Sequence, residues 1–427
     1  MRHIFALLDL NNFYASAETV FDPALASRPV VVLSNGDSNV VARNALAKAL
    51  SIQMGVPLFE IRDLIRQHAV VIKSSNYPLY ADLSERFHTA VALFSPRQER
   101  FSIDESFLDV SFVPDEALVE YGQRMKATVA KLTGLPCSVS FAANKTLLKI
   151  AMEQRAKKLS EYNGVCSLIG MAQQEMDALL DSVGVEDIWG IGRQRAIKLQ
   201  LRGIMTARQL RDADILWIRK VLGVVGVRIV LELQGQACLP LETVPKPKQG
   251  IMSSQSFSRP VESLEELKEA VALYTSLAAV KLRRQHALAA HLSVFIHTNF
   301  FDAHAPQYAK STSRTLAFPT AFTPELIAAA HACVQDIFLR GYQFKKAGVY
   351  LTHITPQQVL QADLFGMFSF DEHERKQRLM QSIDELNASW GRNTAFYGAM
   401  GLTRDWQMKQ TRTSSNYTTS WQDILMI

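Results

Sequence analysis

Cysteine is scarce in this chain. Four stand in 427 residues, Cys137, Cys166, Cys238 and Cys333, far apart and never in a C-x-x-C spacing. That argues against a disulfide framework and a zinc site alike, and a reducing cytoplasm is the expected home. No run approaches the ~20 consecutive apolar residues of a membrane span, so no membrane association is expected. Met1-Arg2-His3 leads into a short apolar run without a small-residue cleavage site, which reads as a core strand. No internal repeat stands out. Charge of one sign is also lacking: 46 Lys and Arg against 41 Asp and Glu give a net +5. With 48% hydrophobic residues, the chain suits a globular protein of about three domains.

The small positive excess is concentrated. Between Lys246 and Lys346 twelve basic residues face seven acidic ones, which accounts for all of the +5. Such a segment is compatible with a polyanion, and equally with a solvated face.

Hydrophobic patterning alternates between strand and helix. His3 to Leu8 reads as a buried strand ending in Asp9, Phe13 to Val20 as a helix, and Val30 to Leu33 as a β-branched strand. The Ala-rich run Val40 to Leu50 suggests a helix, Ala69 to Ile72 a strand, and Asn76 to Phe94 a helix. An acidic hairpin, a helix over about 115–132, the strand Cys137 to Phe141 and a helix from Lys145 to Lys158 follow. Two βαβ-like passes around a hairpin suggest an α+β sheet with helices on one face. Residues 171–235 read as helical, and Pro245 to Gly250 as a proline-rich basic linker. A separate small α+β domain is expected after it: helices at 264–285 and 324–341, strands at 289–297 and 347–354. A further helix is expected over 371–386.

The chemistry concentrates on Ser102-Ile103-Asp104-Glu105. Acidic side chains disfavour strands, so a carboxylate pair between two strand-like runs is either a solvated turn or a site. Asp9, at the end of a second strand, favours a site for two Mg²⁺ ions, which take oxygen ligands and few protein carboxylates. Such a pair stabilises both attacking and leaving oxygens of an in-line displacement. Tyr14 follows Asp9 by five residues. It is either a core aromatic or a ring set against a sugar, where its bulk excludes a 2′-hydroxyl. Arg43 and Lys48 on the Ala-rich helix are candidates to grip phosphates, as is Lys157 at the end of a later helix.

Trp189-Gly190-Ile191-Gly192-Arg193, with Arg202-Gly203-Ile204 beyond it, resembles a helix-hairpin-helix. Its glycines let backbone approach a phosphate at a helix N-terminus; a plain packing corner is the alternative. Gln361-Ala362-Asp363-Leu364-Phe365 is either a collapsed segment or a short peptide that inserts Leu364 and Phe365 into a partner's apolar pocket.

Taken together, these residues resemble the Y-family (translesion) DNA polymerases, and within them the UmuC-type chains. The similarity runs in order through Leu8 to Ser16, Pro29 to Asn35, Val41 to Ala45, Ala47 to Leu50, Ser74 to Tyr77, Ser102 to Glu105, Lys145 to Leu147, Asp187 to Arg193, Asp405 to Lys409 and Tyr417 to Thr419. The resemblance implies a multidomain right-hand polymerase. It has a ferredoxin-like palm (1–28 and 74–168), small fingers (29–73), a helical thumb with the helix-hairpin-helix (169–244), an α+β little finger (245–355) and a UmuC-type tail (356–427). It implies error-prone synthesis past damaged template bases in the SOS response. Asp9, Asp104, Glu105 and the Leu10 carbonyl would be metal ligands. Tyr14 would be the steric gate, and Phe13, Arg43, Lys48 and Lys157 nucleotide contacts. Gly190, Gly192 and Arg193 would touch DNA, and Gln361, Leu364 and Phe365 a sliding clamp. The implied partners are primer-template DNA, a dNTP, the clamp, a cleaved UmuD-type dimer and a RecA filament. Ala45 departs from the tyrosine of many members, and Ser38-Asn39 from the Gly-Cys of many UmuC-type chains. A nucleotidyl cyclase would share the acidic hairpin but needs neither Trp189–Gly203 nor a basic appended domain; a non-catalytic scaffold needs no carboxylate triad.

Overall fold

Strand β1 (Phe5–Leu10) is buried along its whole length. Ala6, Leu8 and Leu10 enter one core and Phe5 and Leu7 another, the two-residue alternation of a strand covered on both faces. In the computed structural model, which describes residues 3–359 and 368–424, this strand is the middle of the larger unit. A tight turn leads into helix α1 (Phe13–Phe21), with Asn12 at a left-handed φ of 53°; asparagine tolerates that region better than most residues.

A small layer follows: β2 (Val30–Leu33), β3 (Val40–Arg43), α2 (Ala45–Ala49), α3 (Arg62–His68) and β4 (Val71–Ser74), with sheet order β3-β2-β4. The Ala-rich run is therefore not one helix. Val40 and Val41 are β-branched and stiff at χ1, and Arg43 pairs with Val31 in antiparallel register. Asn44 then caps a five-residue helix, accepting from Ala47 N at 3.0 Å. Arg43, expected on the helix, ends a strand instead.

The main sheet is completed by α4 (Tyr77–Ala92), β5 (Gln98–Arg100), β6 (Glu105–Asp109), α5 (Leu118–Thr133), β7 (Cys137–Ala142), α6 (Lys145–Ala151) and β8 (Val165–Ser167), in the order β5-β6-β1-β7-β8. Helices α4 and α5 share a core with the Ala6–Leu8–Leu10 face. The opposite face is covered as well, by α6 and by α7 (Gln173–Asp181), α8 (Arg193–Gln200), α9 (Ala207–Arg211) and α10 (Ile215–Leu233). The one-sided sheet expected from the sequence is thus a two-sided one. The α-helical hydrogen bonding of α6 gives way to a π turn at Met152–Ala156, just before Lys157.

The second unit spans 246–409. It holds β9 (Ile251–Val261), α11 (Leu264–Arg284), β10 (Ala287–Thr298), β11 (Ala309–Thr320), α12 (Thr323–Ile337), β12 (Phe344–Pro356) and α13 (Phe370–Trp390). Its antiparallel sheet has the order β11-β10-β12-β9, with α11 and α12 packed on it around one core that also takes in Trp406. From Gln410 the chain returns to the first unit. At the end of β4, Ser74 N donates to Arg412 O and Arg412 N to Ser74 Oγ, each at 3.0 Å. Among the described residues no helix is long and apolar enough to cross a membrane.

Candidate active site

The acidic residues meet where β1 and β6 pair. Asp9 stands directly opposite Glu105 in the antiparallel register, and Leu10 N donates to Asp104 O at 2.9 Å. Like charges facing each other across a strand pair repel. Burial pushes the Asp9 carboxyl up to about 7, with Lys157 pulling down and Glu105 adding to the rise. Burial works against ionisation of Glu105 too, but the Lys149 ammonium, together with Asp9 and Lys157, holds that carboxyl low. Lys157 Nζ donates to Asp9 Oδ2 at 2.8 Å and to Glu153 Oε1 at 2.7 Å; Lys149 pairs with Glu105 and lies 5.0 Å over the Phe101 ring. Ser102 Oγ donates to Asp104 Oδ1 at 2.6 Å.

With those partners in place, no three Asp, Glu, His or Cys side chains among the described residues are gathered as a metal ion would hold them. The donors themselves suit a hard divalent cation, being all oxygen. Their crowding is an electrostatic cost that such a cation would relieve in place of the two lysines.

The hairpin tip is braced from behind by α4. Ser84 Oγ donates to Ile103 O at 2.5 Å, and His88 Nε2 contacts Ser102 O at 3.0 Å. Burial lowers the His88 pKa, so a neutral ring donating from Nε2 fits this contact. These two residues, with Lys149, are parts of the site that the sequence did not single out.

A cleft of about 540 Å³ opens in front of the carboxylates. Asp9, Leu10 and Asp104 line it, and Arg43, Lys48 and Lys157 also border it. Burial lowers the Lys48 pKa, and the neighbouring Arg43 and Lys157 charges push it further. Arg43 Nε is buried with no hydrogen-bond partner in the described structure. Three cations and an unanswered guanidinium N–H on one cleft make a site for a multiply charged anion.

Phe13 and Tyr14 border the same cleft. The turn at Asn12 sets them at the start of α1, where Tyr14 stacks on Tyr80 with centroids 4.4 Å apart and planes at 15°. Tyr77 meets Tyr14 edge-on at 6.0 Å. Burial, then the Tyr77 and Asp104 side chains, raises the Tyr14 pKa, so its hydroxyl stays neutral.

Away from the cleft, Gly190 has φ +90° and lies where a Cβ would come 3.1 Å from Ile229 Cδ1, so only glycine fits comfortably. Gly192 is the N-cap of α8 and Arg193 its first residue, with no side chain capping the helix; both are exposed. The first turn of α8 is thus left without a side-chain cap, as an anion-binding terminus would be. Gln361, Leu364 and Phe365 lie outside the described residues.

Among known proteins, residues 8–153 match the impB/mucB/samB family and residues 248–364 the C-terminal domain of that family. Residues 377–427 match a domain of unknown function. Protein UmuC of Salmonella typhimurium strain LT2 is 40% identical over 427 residues, 99% of this chain and 100% of that protein. Protein MucB of Escherichia coli is 37% identical over 422 residues, 99% of each chain. Among solved structures, a Y-family DNA polymerase chimera of Dbh and Dpo4 aligns with a TM-score of 0.67 at 20% identity, over 83% of this chain and 99% of that one. An insertion ternary complex of Dbh DNA polymerase aligns with a TM-score of 0.54 at 20% identity, over 83% and 99%. At that identity the likeness speaks for the fold.

Proposed function

Since the chain belongs to the impB/mucB/samB family, and so to the UmuC-like Y-family DNA polymerases, we propose that it extends a primer past damaged template bases by two-metal nucleotidyl transfer in the SOS response. The observation that carries this reading is the cleft itself, lined both by the carboxylates Asp9 and Asp104 and by the three cations Arg43, Lys48 and Lys157. In the reaction the primer 3′-oxygen bonds to the α-phosphorus of a dNTP while the bond to the β-phosphate oxygen breaks and pyrophosphate leaves. Asp9, Asp104, Glu105 and the Leu10 carbonyl would hold two Mg²⁺ ions, which supply Lewis-acid stabilisation of the attacking and leaving oxygens. Arg43, Lys48 and Lys157 receive the triphosphate. Lys157 passes from Asp9 to a phosphate oxygen, which opens the carboxylate. Phe13 and Tyr14 meet the sugar, with Tyr14 as the steric gate against a 2′-hydroxyl.

On this reading the five-stranded unit with α4 to α6 is the palm, β2 to β4 the fingers, α7 to α10 the thumb and β9 to β12 the little finger. Gly190, Gly192 and Arg193 grip the DNA backbone irrespective of sequence. A sliding clamp engages Gln361, Leu364 and Phe365, and a UmuD-type dimer and a RecA filament act as further partners. Primer extension by the full chain with Mg²⁺ tests the central claim. Asp104→Asn should lower the rate by at least about a hundredfold, the scale of losing one preorganised electrostatic group. Undiminished extension by that variant would remove Asp104 from the site.

A further inference from the structure

The residues behind Tyr14 form a continuous chain of contacts that ends outside the palm. Tyr80, fully buried, supplies the face on which Tyr14 stacks. Its hydroxyl donates to Glu18 Oε1 at 2.6 Å. Glu18 lies four residues after Tyr14 on α1, one turn along the same helix face, and is 2% exposed. The same Oε1 accepts from Ser414 Oγ at 3.0 Å. A second route runs through Asn76. Its Oδ1 accepts from Leu79 N at 3.2 Å and caps α4, whose first turn carries Tyr77 and Tyr80. Its Nδ2 donates to Ser414 O at 3.0 Å and Ser415 O at 3.1 Å. The segment that makes these contacts is fastened on both sides: Gln410 Nε2 donates to Ser75 O at 3.0 Å, and Tyr417 stacks on Phe21 at 4.7 Å.

A strap that only covered a surface would need none of this. Burying a carboxylate costs free energy that an apolar side chain would not, and here two hydroxyl donors offset the cost. What the arrangement secures is direction: the Tyr80 hydroxyl is held at one end, so the long axis of the buried ring is fixed, and the Tyr14 ring lies against that ring. A gate that works by volume loses selectivity as soon as its ring can tilt.

We propose that residues 410–417 are a positioning element for the sugar gate, acting through Ser414 on Glu18 and Tyr80 and through Asn76 on the first turn of α4. Ser414, Asn76 and Glu18 are then positioning residues, none of which touches the nucleotide. The inference rests on Tyr14 being the gate.

The test is single-turnover incorporation of a ribonucleotide and its deoxy counterpart by full-length protein. Ser414→Ala, which removes one hydroxyl from a half-buried site, and Asn76→Asp, which keeps the helix cap but loses both amide donors, should each raise the ribo-to-deoxy ratio about three- to tenfold, the range one net hydrogen bond supports. The deoxynucleotide rate should stay within about twofold, because the chemical step is untouched. Ser414→Thr should restore discrimination. In a Tyr14→Ala background, Ser414→Ala should add nothing. Tail variants that leave the ratio unchanged while Tyr14→Ala raises it would overturn the proposal and spare the gate. A parallel fall of both rates with an unchanged ratio would mark the strap as packing alone and overturn it as well. A Tyr14→Ala variant that itself keeps normal discrimination would strike the gate reading, and the proposal with it.

Discussion

Asp9 and Glu18 are both carboxylates that burial pushes towards protonation, yet their company differs. Asp9 has an ammonium against it, whereas Glu18 has the hydroxyls of Tyr80 and Ser414, with Lys73 lowering and Asp22 raising its pKa from further off. A carboxyl with a raised native pKa favours the folded state in its protonated form. Its stabilisation is complete below the unfolded value of about 4.3 and drains away as pH climbs through the native value. Glu18→Gln keeps an oxygen acceptor and abolishes the titration. Its urea midpoint should therefore fall less steeply than that of the parent above about pH 4.3; parallel curves would show that Glu18 does not titrate there. Asp9, Asp104, Glu105 and Tyr14 were visible in the sequence because carboxylates at strand ends and an aromatic just after them break the local pattern. Glu18, Lys149, Ser84 and His88 were not. Glu18 meets Tyr80 across 62 residues and Ser414 across 396, and Lys149 meets Glu105 across 44, while each sits in an ordinary helical sequence that gives no sign of it.

At the level of elements, the strands of the second unit that escaped the sequence are β9 and β11, the two edges of its sheet, and in the first unit the short edge strand β8 escaped it too. Ala309–Thr320 is exposed along most of its length and rich in Ser and Thr, so no apolar alternation marks it. Edge strands are commonly polar for this reason. The central strands β10 and β12 carry the alternation and were read from it. The run at 40–50 failed differently: alanines suggested helix, and the tertiary pairing of Val40–Arg43 with β2 overrode that preference. A glycine shows how tightly the larger unit is packed. Gly122 lies inside α5 with room for nothing: an added Cβ would come 2.6 Å from Val165 Cγ1 and 2.8 Å from Phe141 Cε2. Gly122→Ala should therefore destabilise by about 1–3 kcal/mol, as overpacked cores do, despite alanine's better helix propensity. A melting temperature equal to or above that of the parent would contradict this.

For the molecule as a whole, the chain passes twice between its two units. The first crossing, at Pro245-Lys246, falls in the proline-rich run, where sequence carries a linker signature. The second, at Lys409-Gln410, has neither proline nor glycine beside it, and nothing in the local sequence announced that residues 410–417 lie along β4 and α4. The proposed clamp contact at Leu364 and Phe365 belongs to this scale too. Replacing Leu364 and Phe365 together by alanine should abolish stimulation by a sliding clamp while leaving basal primer extension intact. Stimulation that persists would assign clamp binding elsewhere.

The return of the chain to its first unit also sets an order of biosynthesis. On the ribosome, residues up to Pro245 emerge and can collapse around β1 well before Gln410 exists. At roughly 5–20 residues per second, the intervening segment takes on the order of ten to thirty seconds to make. Throughout that interval Glu18 and Asn76 have no Ser414 to meet. A nascent chain thus carries its carboxylates and its cleft before it carries residues 410–417, so on the proposed reading Tyr14 is set only after the second unit has been made.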